Sequence, residues 1–154
     1  MAQKRQPNLR GSTLATVDEQ GRLKIPTMFK DILVKSYGWN YFITSLTGEN
    51  VFVFPLTVWE AHEERLTKTA SLMTSRRKYL DRVNYYGCEV TMDKQGRILV
   101  PTTLRDSATI QGQLRVLGEI DHLSVWNEQR FTKRIMQEEQ LTEQDLLQLS
   151  DLGI

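Results

Sequence analysis

An α+β fold made of two similar halves is what the sequence predicts, on three observations. A sixteen-residue stretch occurs twice. Each copy holds an Asp-x-x-Gly-Arg turn between extended runs. A helical pattern follows each copy. The first copy is Thr16-Val17-Asp18-Glu19-Gln20-Gly21-Arg22-Leu23-Lys24-Ile25-Pro26-Thr27-Met28-Phe29-Lys30-Asp31. It matches Thr91 to Asp106 at an offset of 75 residues, with eight of sixteen positions identical. The likeness resumes at an offset of 72, where Val51-Phe52-Val53-Phe54 answers Leu123-Ser124-Val125-Trp126. Two copies are too few for a solenoid and suit a pseudo-two-fold body in which each half covers the other's apolar face.

Each repeat has a physical reading. Asp18 and Asp93 can accept hydrogen bonds from backbone N–H groups two or so residues on. Gly21 and Gly96 supply the positive φ of a tight hairpin. Arg22-Leu23-Lys24-Ile25 alternates polar and apolar, as a half-buried strand does. Arg97-Ile98-Leu99-Val100 is apolar after its arginine, which predicts a more buried strand. Pro26 and Pro101 end these strands and open helices, where a missing N–H costs nothing. Phe29, Ile32 and Leu33 lie at helical spacing, and Gly38 closes that segment. Gly48 and Val51 to Phe54 form the next hairpin and strand.

The helices come next. Thr57-Val58-Trp59-Glu60 reads as a capping box opening a helix with Trp59, His62 and Leu66 on one face. Residues 67–74 read as a polar loop, and Ser75 to Val83 as a helix with four bases and one acid. Asn127 caps a helix carrying Phe131 and Ile135. Thr142 caps a last helix striped with Leu146, Leu149 and Leu152. Trp39, Trp59 and Trp126 read as core or interface anchors, and the Tyr85-Tyr86 pair as packing.

The 154 residues suffice for a sizeable core, and 40% hydrophobic with 25% charged residues is a globular composition. No apolar run approaches the ~20 residues that span a bilayer, and the N-terminus lacks the apolar stretch of a secretory signal. A single cysteine, Cys88, excludes an internal disulfide. Cys88, His62 and His122 lack the paired spacing of a zinc site, so no metal and no cofactor are expected. Twenty Lys and Arg stand against nineteen Asp and Glu, a net charge of +1. The five acids from Glu138 to Asp151, with no Lys or Arg after Met136, leave the preceding body at +6. A basic body suits a polyanion partner, and the leucine-striped acidic tail suits its own body or a neighbouring subunit.

The two Asp-x-x-Gly-Arg hairpins, the strand-Pro-helix order and Pro55-Leu56-Thr57-Val58-Trp59-Glu60 together resemble the MraZ family, tandem members of the AbrB/SpoVT-like swapped-hairpin group. The resemblance runs from about Leu9-Arg10-Gly11, through Val116-Leu117-Gly118, to Asp151-Leu152-Gly153. It implies a pseudo-two-fold swapped-hairpin β-barrel built from two AbrB-like halves with flanking helices. Residues 12–59 would be the first repeat, 60–86 connecting helices, 87–130 the second repeat and 131–154 a helical acidic tail, with both repeats in one body. It also implies a sequence-specific DNA-binding regulator acting on short direct repeats in the promoter of the division and cell-wall gene cluster. Such a protein works in the cytoplasm, at the nucleoid, as a homo-oligomeric ring. The family commonly begins near Phe-Arg-Gly; here a basic octet precedes Leu9-Arg10-Gly11. That octet is a disordered arm, an appended remnant or an added phosphate contact.

The family's key arginine falls on Arg22 and its second copy on Arg97. A guanidinium fork can bind guanine O6 and N7 together or clamp a phosphate. Asp18 can orient the Arg22 guanidinium. Lys24 shares a strand face with Arg22. Gln20 at the turn can reach a base edge or a phosphate, and Arg10 falls on the adjacent first strand. Arg22 is expected to specify, with Lys24, Arg10, Lys4 and Arg5 positioning. The competing reading makes each Asp-Arg pair purely architectural, with more weight at Arg97, whose apolar strand suits a subunit interface. The basic 76–82 helix ranks below the turns as a phosphate surface. An enzyme lacks support: there is no nucleophile beside a base, no phosphate loop and no expected small-molecule substrate. The alternative function is an oligomeric protein-binding scaffold without DNA binding.

Overall fold

The computed structural model describes residues 7–154; the proposed contacts from Lys4 and Arg5 lie outside the described residues. Helix and strand are mixed in an α+β arrangement. The chain runs β1 (Ser12–Ala15), β2 (Arg22–Lys24), α1 (Thr27–Tyr37), β3 (Asn40–Thr44), β4 (Val51–Pro55), α2 (Leu56–Thr67) and α3 (Thr74–Tyr86). It continues as β5 (Cys88–Thr91), β6 (Arg97–Leu99), α4 (Thr102–Ala108), β7 (Leu114–Gly118), β8 (Leu123–Asn127), α5 (Glu128–Phe131), a π-helical stretch Thr132–Glu138, and α6 (Glu143–Asp151).

Six strands form an open antiparallel sheet in the order β1-β7-β8-β4-β3-β5, and β2 pairs with β6 in a separate ribbon. The order is a palindrome: exchanging each strand for its counterpart in the other repeat and reading backwards returns the same list. At the centre of the sheet Phe52 faces Ser124, and at the centre of the ribbon Leu23 faces Ile98. Both pairs are repeat counterparts, so one two-fold relation governs both sheets. The first strand of each half pairs away from home, β1 with β7 and β5 with β3.

This interleaving explains the core. Leu23, Ile25, Ile98 and Val100 point inward from the ribbon and are at most 1% exposed. Phe29 and Leu33 of α1, Leu104 of α4, and Ile43, Val53, Val116 and Val125 of the sheet pack with them in one cluster. Truncating such a side chain to alanine costs about 2–5 kcal/mol. A second cluster, Phe42, Trp59 and Val83, ties α2 and α3 to the outer face of β3. Phe42 stacks on Trp59 with ring centroids 4.7 Å apart.

Several local expectations hold. Gly38 ends α1 with φ 86° and its N–H bonded to the Val34 carbonyl. Asn127 Oδ1 accepts from the Arg130 N–H, and Thr142 and Asp145 form a reciprocal capping box at α6. Others need correction. β6 is no more buried than β2: both read half-buried, buried, exposed, and Leu99 is 53% exposed. Its place in the pleat decides this, because Leu99 alternates outward where Ile98 turns inward. Thr57 is not a cap: α2 begins at Leu56 directly after Pro55, whose φ of −54° leads from strand into helix, so Thr57 falls inside the first turn. Trp59 and Trp126 are buried core anchors, and Trp39 at 40% exposure keeps only the interface reading, whereas Tyr85, read as packing, is 70% exposed. Tyr85 meets Tyr86 edge-on from the open side of α3.

Candidate nucleic-acid interface

Both Asp-x-x-Gly-Arg motifs close the same turn. Asp18 Oδ1 accepts from the backbone N–H of Gln20 and of Arg22, each at 2.9 Å, and Oδ2 accepts from Arg22 Nε at 2.8 Å. Asp93 repeats these bonds to Gln95 and Arg97 at the same distances. Gly21 and Gly96 donate to the carbonyls of Asp18 and Asp93 at 3.0 Å, with φ of 81° and 82°. A side chain there would be strained by the left-handed backbone. Each carboxyl is held below the ordinary Asp value, chiefly by the N–H of Arg22 or Arg97; desolvation opposes this, and the guanidinium and the N–H of Gln20 or Gln95 add to the lowering. Each turn therefore orients its arginine through Nε alone and leaves the two terminal nitrogens without a partner among the described residues.

The ribbon gathers the two arginines. Arg22 faces Leu99, Leu23 faces Ile98 and Lys24 faces Arg97. Opposed residues share a face of an antiparallel pair, and alternate residues along a strand share it too. With Leu23 and Ile98 buried, the outer face carries Arg22, Lys24, Arg97 and Leu99. Arg22 and Arg97 side chains keep 34% and 29% of their surface open, so neither is locked inside the body. Lys24 and Arg97 are like charges directly opposite one another, an arrangement that costs a few tenths to about 1 kcal/mol without a counter-charge.

The other expected residues fall at different places. Gln20 is exposed at the tip of the first turn, its backbone engaged by Asp18. Arg10 does not lie on β1: it precedes that strand, at the end away from the turn, next to the Leu9–Ile120 bridge. The 76–82 bases ride on α3, with Arg76 Nε donating to the Leu66 carbonyl and Arg82 to that of Lys78. Among the described residues no group of three or more His, Cys, Asp or Glu is placed to hold a metal, and no helix is long and apolar enough to cross a membrane.

Three residues at the interface escape a reading of sequence. Leu99 becomes an outer-face residue only through its register with Arg22. Lys30 and Arg105 reach the turns of the opposite halves. Lys30 Nζ donates to the Lys94 carbonyl at 3.0 Å and its stem lies over Gly96. The Arg105 guanidinium lies over Gly21 and donates to Thr102 Oγ1 at 3.0 Å. Their equivalence under the 75-residue offset was the available signal.

Comparison with known proteins decides the family. A protein of Acidobacterium capsulatum named "Transcriptional regulator MraZ" is 41% identical over 145 residues, which is 94% of this chain and 99% of that protein. The chain belongs to the MraZ family. A protein of the same name from Koribacter versatilis is 38% identical, and one from Erwinia tasmaniensis 30%, again across 94% of this chain and 99% of theirs. The family model described as "MraZ protein, putative antitoxin-like" matches residues 87–149, the second half of the chain. Near-complete coverage of these MraZ relatives means that both turns, the ribbon and the acidic tail fall within the span compared.

Proposed function

We propose that the chain is a sequence-specific DNA-binding transcriptional regulator that reads duplex DNA with the outer face of the β2–β6 ribbon. The carrying observation is the convergence of Arg22, Lys24 and Arg97 from two repeats onto one exposed face, each guanidinium oriented by its own Asp. A two-stranded ribbon fits the major groove, which is about 12 Å wide. Arg22 and Arg97 have free terminal nitrogens for a base edge or a phosphate, while Lys24 offers a point charge. Gln20 extends the reach at the tip, and Arg10 serves backbone contact further along the body. Asp93 is the counter-charge of Arg97, and the Lys24 charge set opposite it fits a face that takes a polyanion.

The exchange of first strands between residues 12–59 and 87–130 supports a swapped-hairpin architecture in which both repeats make one body. Residues 60–86 connect them and 131–154 form the acidic tail. A single subunit offers few phosphate contacts, so we infer a homo-oligomeric ring that engages several short direct repeats at once. The relatives' name supports a role in transcription. The family likeness supports the promoter of the division and cell-wall gene cluster as the target, in the cytoplasm at the nucleoid. No cofactor or small-molecule substrate enters this reading.

The test is a fluorescence-polarisation titration with a duplex carrying three or more promoter repeats, one repeat, or a scrambled sequence. Tight, salt-sensitive binding to the first and much weaker binding to the others is expected. Equal binding to one and three repeats removes the ring from the mechanism. No binding to any favours a protein-binding scaffold acting through the α6 leucines, of which Leu146 and Leu147 are 52% and 68% exposed.

A further inference from the structure

The two turns are held in place by the opposite halves. The Val100 N–H donates to the Gly21 carbonyl at 3.0 Å, and the Ile25 N–H donates to the Gly96 carbonyl at 2.8 Å. Above each glycine lies a cation from the other repeat. A Cβ placed on Gly21 would fall 2.6 Å from Arg105 Nε, with the rest of the guanidinium as close, and one on Gly96 would fall 2.8 Å from the Lys30 Cδ. Arg105 Nε is buried and has no hydrogen-bond partner among the described residues. A buried donor without a partner costs about 1–3 kcal/mol. That cost is tolerated with the guanidinium pressed flat on the first turn. Lys30 holds the second turn through its hydrogen bond to the Lys94 carbonyl.

We propose that Arg105 and Lys30 are positioning residues acting in trans, each fixing the turn that orients the opposite half's arginine: Arg105 sets Arg22, and Lys30 sets Arg97. The role in DNA reading rests on the function proposed above; the mechanical relation does not. Covering the glycine blocks the turn from lifting off the ribbon, which keeps the Asp bonds to the N–H groups of residues 20 and 22, or 95 and 97, closed. The two reading arginines are then coupled to the correct docking of both halves. A half that is misassembled leaves its partner's arginine unset.

Amide hydrogen exchange on the full chain without DNA tests the relation directly. In Arg105→Ala, exchange at Gly21 and Arg22 is expected to rise about fivefold or more, with Gly96, Arg97 and the β4 amides unchanged. In Lys30→Ala the pattern moves to Gly96 and Arg97, and this variant tests the same relation if Arg105→Ala does not fold. Arg105→Lys should restore the first turn, because Lys30 shows that a lysine suffices at the equivalent place. Faster exchange at both turns alike, at the turn of the substituted half, or at neither, overturns the proposal.

DNA binding supplies a second readout that a general structural role would not move. Arg105→Ala and Arg22→Ala should be coupled, the double variant losing less than the product of the single losses. Arg105→Ala and Arg97→Ala should multiply. The dependence of affinity on salt should stay at the wild-type slope in Arg105→Ala. A slope lower by about 1 makes Arg105 a phosphate contact and overturns the positioning role. If the unaltered protein shows no sequence-dependent binding, the functional reading fails, and the exchange experiment still decides whether the turns are held in trans.

Discussion

The first and second turns have the same skeleton and different surroundings. Asp18 and Asp93 make matching sets of hydrogen bonds, and Gly21 and Gly96 differ by one degree in φ. Yet Lys24 in the first half stands where Leu99 stands in the second, and the covering cation is Arg105 over the first turn but Lys30 over the second. The turn is a local object, closed within five residues, so duplication preserves it. The outer face of the ribbon is a shared object, and one substitution makes it asymmetric. One end pairs two cations, Lys24 and Arg97; the other pairs Arg22 with an exposed leucine. On the function proposed above, a duplex lying on this ribbon would meet unequal ends, which would give a pseudo-symmetric subunit a direction along its repeat.

The largest expected effect asks whether both ends read DNA. Arg22→Ala should cost about 1–3 kcal/mol of specific binding per site in the polarisation titration. A similar loss for Arg97→Ala shows two reading arginines. A negligible one leaves the second turn architectural, as its apolar strand suggested. Stability separates the turns next. Gly21→Ala and Gly96→Ala each force a side chain into the left-handed region, at about 1–2 kcal/mol. Gly21→Ala should lower the melting temperature more, because a planar guanidinium lying over the turn with its Nε buried yields less readily than the flexible Lys30 stem. Equal shifts would mean that the covering cations adapt equally.

Leu99→Lys restores the charge that the second half lacks and should steepen the salt dependence of binding by about 0.9 in slope for each phosphate gained. Lys24→Leu should flatten it comparably. Both changes are exposed and should move stability by no more than about 0.5 kcal/mol. The smallest effect is on pH. The folded carboxyls of Asp18 and Asp93 titrate below the ordinary 3.8. The stabilisation they lend the turns is therefore complete above that value and lost as pH falls through the lowered folded values. Both turns should loosen together in an acid titration followed by the amides of Arg22 and Arg97. Asp18→Asn should remove this dependence from the first turn alone.

Much of this was legible because the information is short-range. The bonds from Asp18 to residues 20 and 22, the left-handed glycine, the Gly38 stop and the Asn127 and Thr142 caps each depend on residues within four or five positions. Thr57 shows the limit of such reading: the capping-box pattern is present, but Pro55 starts the helix first and leaves the threonine inside it. Leu99 and Tyr85 show another limit. Hydrophobic residues read as buried by composition, while the pleat and the helix face send both outward. Proximity in sequence puts Arg10 on the first strand, and the Leu9–Ile120 bridge instead holds it beyond the strand's far end.

The amino-acid order alone determined that the chain has two homologous turns, each with an arginine tied to its own aspartate, because those contacts close before the chain has gone one hairpin. Only the tertiary structure decided that the arginines share one face, that β1 and β5 cross to the other half, and that Arg105 and Lys30 cover each other's turns. These relations join residues from 45 positions apart (Ile43 with Cys88) to 105 apart (Ser12 with Leu117). Their register is set by burying Leu23 against Ile98 and by the packing of one half on the other, which no local pattern specifies.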